Sequence, residues 1–283
     1  MKKMFMFSVI FLWSMSAAAD NFSWAGQDNY VVQMGGSSMD WTMDVITSGG
    51  SSIFSAEGES TSHRAMVAER EARFRALKNL HDSIGETYLD SSTTINHVRS
   101  RNPGVTKDFA AMVQQATVVD RVMIPVPGGQ NLVEAFVMLD LWDEQTRFFM
   151  PGFLFAPVET GDFQDSDSLL SGDCVINIDA AGLGVSPAII PSITDKHGNM
   201  LLRASTLGSG RKAGRSNISY IRSSSQEPGF RTIQSQGQIT WIKAERALGE
   251  HGTDIGLNAE GSDKFIQVIS SSRDDCSINI ILK

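Results

Sequence analysis

Cysteine is nearly absent from this chain of 283 residues, which has only Cys174 and Cys276. Without a Cys-x-x-Cys pair, thiol–disulfide catalysis has no motif to work through. Basic residues are also scarce: 24 Lys and Arg stand against 32 Asp and Glu, for a net charge of −8. A protein that tracks nucleic-acid phosphates needs a concentrated basic footprint, and this balance argues against one. The five histidines, His63, His81, His97, His197 and His251, show no His-x-x-x-His or Cys/His ligand spacing. No zinc site is therefore expected. The acidic run "DFQDSDS", with Asp162, Asp165 and Asp167, lacks the glycine and terminal glutamate of an EF-hand loop and reads as solvated. No Gly-x-Ser-x-Gly elbow occurs. No cofactor, metal or catalytic constellation is thus expected, and no transmembrane span beyond the first residues.

The chain does have an export signal. Lys2 and Lys3 precede the apolar run "MFMFSVIFLW", and "SAAA" supplies small residues before Asp20. These are the parts of a secretory signal peptide over residues 1–19, cut after Ala19. No cysteine follows the cut to carry a lipid. The mature protein is expected to be soluble and outside the cytoplasm. In that compartment Cys174 and Cys276, each in a short alternating strand-like run, either form a disulfide or remain buried thiols. The sequence leaves both open.

Hydrophobic residues make up 41% of the chain and charged residues 20%, an ordinary globular balance. Residues 20–38 are polar and glycine-rich and read as a flexible arm. Its aromatics Phe22, Trp24 and Tyr30 are candidates for docking on a neighbour. Residues 39–142 read as an α+β domain of order β-α-β-α-β-β. "MDWTMDVITSGGSSIFSAEGES" supplies two short β runs around a Gly-Gly turn. Thr61 or Ser62 then caps a helix whose Ala65, Ala68, Ala72, Ala76, Leu80 and Ile84 form one small-residue stripe. "STTINHV" reads as a strand and "TKDFAAMVQQ" as a helix. "ATVVDRVMIPV" and "NLVEAFVMLDLW" flank "PGGQ" as a hairpin, with Val133, Ala135, Val137, Leu139 and Leu141 on one face.

Residues 143–171 read as a linker, in which Phe148, Phe149, Phe153 and Phe155 pack between domains or form a partner surface. Residues 172–283 read as a strand-rich α/β domain ending in a helix capped by Ser262 and a last strand. The basic loop "GSGRKAGR", Gly208 to Arg215, reads as a surface loop or an anionic contact.

Within this half, "CVINIDAAGLGVSPAIIPSITD" raises a sharper question. Gly182 and Gly184 after a strand resemble the start of a phosphate-cradling loop. A dinucleotide loop needs a helix immediately after its glycines. Here Pro187 and Pro191 follow, which favour extended chain. Gly182, Gly184, Pro187 and Pro191 are therefore expected to form a structural turn.

The same stretch resembles a "D-A-x-G-L-G-x-x-P-A-x-x-P-x-I-x-D-x-x-G" signature in a group of bacterial envelope proteins. These carry a domain like the twenty-kilodalton Lpp-type lipoproteins and the N-terminal part of flagellar assembly protein T. "MDWTMDVITSGG", "AEREARFRALKNLHDSI", "ITWIKAERALGEHGTDIGLNAEGSD" and "CSINIIL" are similar in the same order along the chain. The resemblance implies a periplasmic or outer-membrane-associated protein, flagellar accessory rings among its relatives, and no inherited active site. The resulting expectation is a non-enzymatic protein that self-assembles as a ring, filament or flagellar accessory subunit. Its partners would be its own copies and other envelope proteins. The alternative is a soluble periplasmic module that binds a cell-wall or envelope ligand. An enzyme whose residues meet only in three dimensions is a third reading.

Overall fold

The computed structural model describes residues 29–58, 60–141, 174–203, 218–223, 238–271 and 276–283. The expected signal peptide, residues 20–28 of the arm with Phe22 and Trp24, the 143–171 linker and the 208–215 loop lie outside the described residues. The fold is α+β, with a strand-rich C-terminal region.

The N-terminal sheet is antiparallel, with strands in the order β1-β2-β3-β5-β4. These are β1 (Val31–Met34), β2 (Ser37–Asp40), β3 (Val45–Ser55), β4 (Thr117–Val126) and β5 (Gln130–Asp140). β3 and β5 pair without a break from Val45↔Asp140 to Ser55↔Gln130. The β4–β5 hairpin turns where Gly128 and Gly129 take positive φ, and Val133, Ala135, Val137, Leu139 and Leu141 are all buried, as their alternation implied.

Helix α1 (Thr61–Glu86) covers that face. Ala68, Ala72, Ala76, Leu80 and Ile84 are at most 2% exposed, so the small-residue stripe is its packing face. Thr61 is the first helical residue, and Ser60 in the left-handed region precedes it without a side-chain cap. Helices α2 (Ile95–Arg101) and α3 (Pro103–Gln114) follow.

Besides the expected Thr61 or Ser62 cap, which α1 does not have, four sequence expectations change here. Gly49 and Gly50 are not a turn but lie mid-strand in β3. A Cβ on Gly50 would meet Ala72 O and Ala76 N at 2.3 Å, so the glycine lets α1 lie almost on the sheet. "STTINHV" is not a strand: Thr94 accepts from His97 N–H and starts α2, and this cap outweighs the β-branched composition. Residues 29–38 are not a free arm, because β1 and β2 form a hairpin on the sheet, with Tyr30, Val32 and Met34 packed on the core. Short strands rich in serine and glycine hide their hairpin from a composition count. The fourth change concerns the last helix, α4 (Ala259–Ser271), which starts earlier than Ser262: Asn258 accepts from Gly261 N–H at its head.

The C-terminal sheet is mixed, with seven strands in the order β8-β7-β11-β10-β6-β12-β9. These are β6 (Cys174–Asp179), β7 (Ser192–Thr194), β8 (Met200–Arg203), β9 (Ile218–Arg222), β10 (Gln238–Leu248), β11 (Asp254–Leu257) and β12 (Cys276–Leu282). β10, β6, β12 and β9 run parallel. Across them Ile242, Ile178, Ile280 and Tyr220 stand in one row, all buried. Burying each such side chain contributes about 1.5–3 kcal/mol. Phe265 of α4 is 1% exposed and joins the same core. Cys174 and Cys276 face each other at the start of β6 and β12, with Cα atoms 4.7 Å apart, and are joined in a disulfide.

Candidate functional site

The stretch that raised the ligand question leaves β6 at Asp179. Asp179 accepts from Ala181 N–H, and Gly182 and Gly184 take φ of +83° and +70°. A Cβ at either glycine would meet open space, so backbone conformation rather than close approach requires them. Pro187 and Pro191 are buried in the extended segment that follows. Ser186 N–H donates to Gly252 O at 3.0 Å, tying the segment to the β10–β11 turn.

The next residues reach the other domain. Ile189 and Ile190 donate their backbone N–H to Tyr88 O and Leu89 O, at 3.0 and 2.8 Å. His251 N–H donates to Ser91 O, and the His251 ring stacks on Tyr88 with centroids 4.5 Å apart. The receiving loop is shaped by Asp90, whose carboxylate accepts from the backbone N–H and hydroxyl of both Ser92 and Thr93. Burial works to raise the Asp90 pKa, but these hydrogen bonds outweigh it and hold the carboxyl below the usual Asp range.

A second set of contacts closes the junction from the N-terminal side. Thr42 Oγ1 accepts from Tyr30 N–H at 2.8 Å and donates to Tyr220 O. Trp41 packs edge-on to Tyr220 with centroids 5.6 Å apart. The Tyr220 hydroxyl accepts from Ala188 N–H at 3.0 Å and donates to Ala188 O at 3.1 Å. Burial pushes its phenol far above the ordinary tyrosine range, so it stays a neutral donor. The space among Trp41, Leu141, Ala188, Ile189 and Tyr220 is about 10 Å³. That is about one probe sphere, so the two domains are in close contact there.

A larger cavity lies elsewhere. A cleft of about 560 Å³ opens between α1 and β4, lined by Glu69, Arg73, Val118, Val119, Asp120 and Arg121, with Ala135 as its floor. Glu69 and Arg121 form an ion pair across it. β4 is the edge strand there, but its edge is blunted. Its register slips between Val118 and Asp120, Arg121 N–H donates to its own neighbour Asp120, and Pro125 has no N–H.

Among the sequence's candidates, the structure brings together the 182–191 turn and Tyr30 at one junction and joins Cys174 to Cys276. Trp41, Thr42, Tyr88, Tyr220 and His251 were missed. One signal for part of this group was present: the chain has three tyrosines, and Tyr30, Tyr88 and Tyr220 all lie at this junction. Among the described residues no group of three or more His, Cys, Asp or Glu side chains is placed to hold a metal ion. No helix among them is long and apolar enough to cross a membrane.

Residues 175–283 match a family model described as Treponema pallidum Tp0624, second domain. The match runs from β6 to the end of the chain, less than half of its length, and states what this domain is similar to. No curated protein matches the chain.

Proposed function

We propose that the protein is an exported, non-catalytic component of the bacterial cell envelope that works by holding polypeptides in place. It would act as a self-assembling ring, filament or flagellar accessory subunit in the periplasm or at the outer membrane. The observation that carries this reading is the junction. The one stretch that looks like a ligand loop directs its backbone groups at the other domain, and the two domains meet there in close contact. Such a joint makes a stiff two-domain unit, which suits a scaffold. The disulfide between β6 and β12 fits an oxidising compartment, and the leader over residues 1–19 agrees with export.

Two measurements test it. Mass spectrometry of the exported protein should find a mature terminus at Asp20. Size-exclusion chromatography with light scattering should find multimers that grow with concentration. A chain that stays strictly monomeric at high concentration, and in native envelope extracts, overturns self-assembly. A second reading, a periplasmic binding module, is favoured by the α1–β4 cleft, whose volume lies within the range of ligand sites.

A further inference from the structure

Three helices of the N-terminal domain meet around one histidine. The His81 ring of α1 packs edge-on to Phe109 of α3 with centroids 5.0 Å apart, and the Arg99 guanidinium of α2 lies 4.2 Å from the Phe109 centroid. His81 is held on both sides: Nε2 lies 2.7 Å from Arg99 Nη2, and Nδ1 lies 3.1 Å from Asp82 Oδ1. A guanidinium can only donate, and an ionised carboxylate can only accept. Hydrogen bonds from His81 and then Lys78 hold the Asp82 carboxyl below the usual Asp range, so it is ionised at neutral pH. His81 therefore accepts at Nε2 and donates at Nδ1, which describes a neutral ring. A second proton would set an Nε2–H against an Arg99 N–H at that same short distance. Arg99 has little else to hold it: Nη1 donates to Asn96, but Nε is buried with no hydrogen-bond partner among the described residues. α2 in turn closes the loop that receives the other domain. Ile95 N–H donates to Thr87 O and Leu89 N–H donates to Thr93 O, on either side of Tyr88 and Ser91.

We propose that His81 is a pH-sensitive latch, which holds α2 on α1 while its ring is neutral and releases α2 when the ring takes a second proton. Asp82 favours that proton and Arg99 opposes it. Release of α2 removes Arg99 and leaves Asp82 in place, so proton uptake and release favour each other. The ring is 32% exposed, which gives the proton access. Because α2 closes the 87–94 loop, its release loosens the seat of Ile189, Ile190 and His251. The joint is then stiff at neutral pH and looser in acid. The charged neighbours of His81 on α1 are Asp82 and Lys78, which pair with each other. α2 presents Arg99, while its His97 and Arg101 are exposed; α3 presents Phe109, while its Lys107 and Asp108 are exposed. At the joint itself His251 stacks on Tyr88. A protonated ring there would be attracted to the phenol face, so His251 acts in the opposite sense and does not account for loosening in acid.

This latch goes beyond the scaffold reading and works within a single chain, so it stands with or without self-assembly. The test is amide hydrogen exchange of the full mature chain, read by mass spectrometry, with labelling times scaled to the intrinsic rate at each pH. Spectra at about pH 7.5 and about pH 5.5 bracket the ordinary histidine range. Protection over residues 95–101 should fall by roughly tenfold at the lower pH, the effect of losing one charge-assisted hydrogen bond. Residues 186–190 should lose protection in step, while residues 132–139 of β5 stay unchanged. His81→Gln does not titrate, and Arg99→Met keeps an apolar stem over Phe109 without the opposing N–H. Each should show the same protection at both pH values, whatever its absolute level, and circular dichroism melts check that each folds. His97→Gln and His251→Gln should keep the parent's response. Equal protection of the parent at both pH values, a response that survives in His81→Gln or Arg99→Met, one that vanishes in His251→Gln, or an unchanged 186–190 segment overturns the proposal. Light scattering on the same samples separates the two ideas: a monomer that shows the response keeps this inference and removes self-assembly.

Discussion

Gly50→Ala is the sharpest test of how the N-terminal domain is built. A Cβ placed there meets Ala72 O and Ala76 N at 2.3 Å and Arg75 C at 2.9 Å. These are helix backbone atoms, so no side chain can swing aside. The helix must retreat by roughly 1 Å to restore van der Waals contact, and a gap of that size forfeits a quarter to a half of each dispersion well. Ala68, Ala72, Ala76 and Ala135 all lose contact at once, because each is at most 2% exposed in that seam. Overpacking of this kind costs about 1–3 kcal/mol. Removing a glycine from a strand returns about 0.5–1 kcal/mol, so the net change remains destabilising. For a chain of this size Tm falls by about 2–4 °C per kcal/mol. Ala72→Leu and Ala76→Leu should destabilise by the same mechanism. Gly49→Ala is the control, because its Cβ would meet only the Phe136 ring, at 3.2 Å. Scanning calorimetry of the four variants decides the matter. A Gly50→Ala protein as stable as its parent would show that α1 does not rest on β3 as described.

Three further outcomes follow from the C-terminal domain and the junction. Replacing Cys174 and Cys276 together by serine opens a loop whose ends are 102 residues apart in sequence; the chain-entropy model puts the loss at up to about 4–5 kcal/mol, read from the urea midpoint. Tyr220→Phe leaves the buried N–H and C=O of Ala188 without their partner, at about 1–3 kcal/mol for each group. The raised folded pKa of Tyr220 makes its contribution complete below the ordinary tyrosine value, near pH 10, and progressively lost above it. Stability measured from pH 9 upward should therefore fall more steeply in the parent than in Tyr220→Phe, and equal slopes would refute the assignment. Asp90 has the opposite sign. Its depressed folded pKa gives a contribution present above the ordinary Asp value, near pH 4, and lost as pH falls further. Asp90→Ala should flatten the acid limb of the stability curve, and an unchanged acid limb would dismiss the Asp90 turn as a contributor.

Much of the secondary structure was legible because it rests on periodicity. The alternation of Val133 to Leu141 and the three- and four-residue steps of Ala68 to Ile84 have one folded solution each, in which the marked face is buried. Gly182, Gly184, Pro187 and Pro191 could likewise be read as a turn, because proline and glycine act on their own backbone and need no neighbour. Their second role, presenting Ile189 and Ile190 to the other domain, was not legible. It depends on Tyr88, Leu89 and Tyr220, which lie far away in sequence. Composition misled where a local signal had two outcomes. Gly49-Gly50 fits a turn or a close helix approach equally well, and only α1 lying across β3 selects the second. Thr93 and Thr94 suit a strand by composition, yet Thr94 is a helix cap. The cysteines could pair or not until β6 and β12 became neighbours, which parallel sheet order alone decides. The α1–β4 cleft was invisible for the same reason: Glu69 and Arg121 are 52 positions apart, and an ion pair between two solvated side chains leaves no periodic trace in the sequence. Sequence by itself determined what short stretches prefer, because backbone propensity and periodicity are local. Tertiary structure decided what those stretches face, because contact between distant residues is set by packing the whole chain.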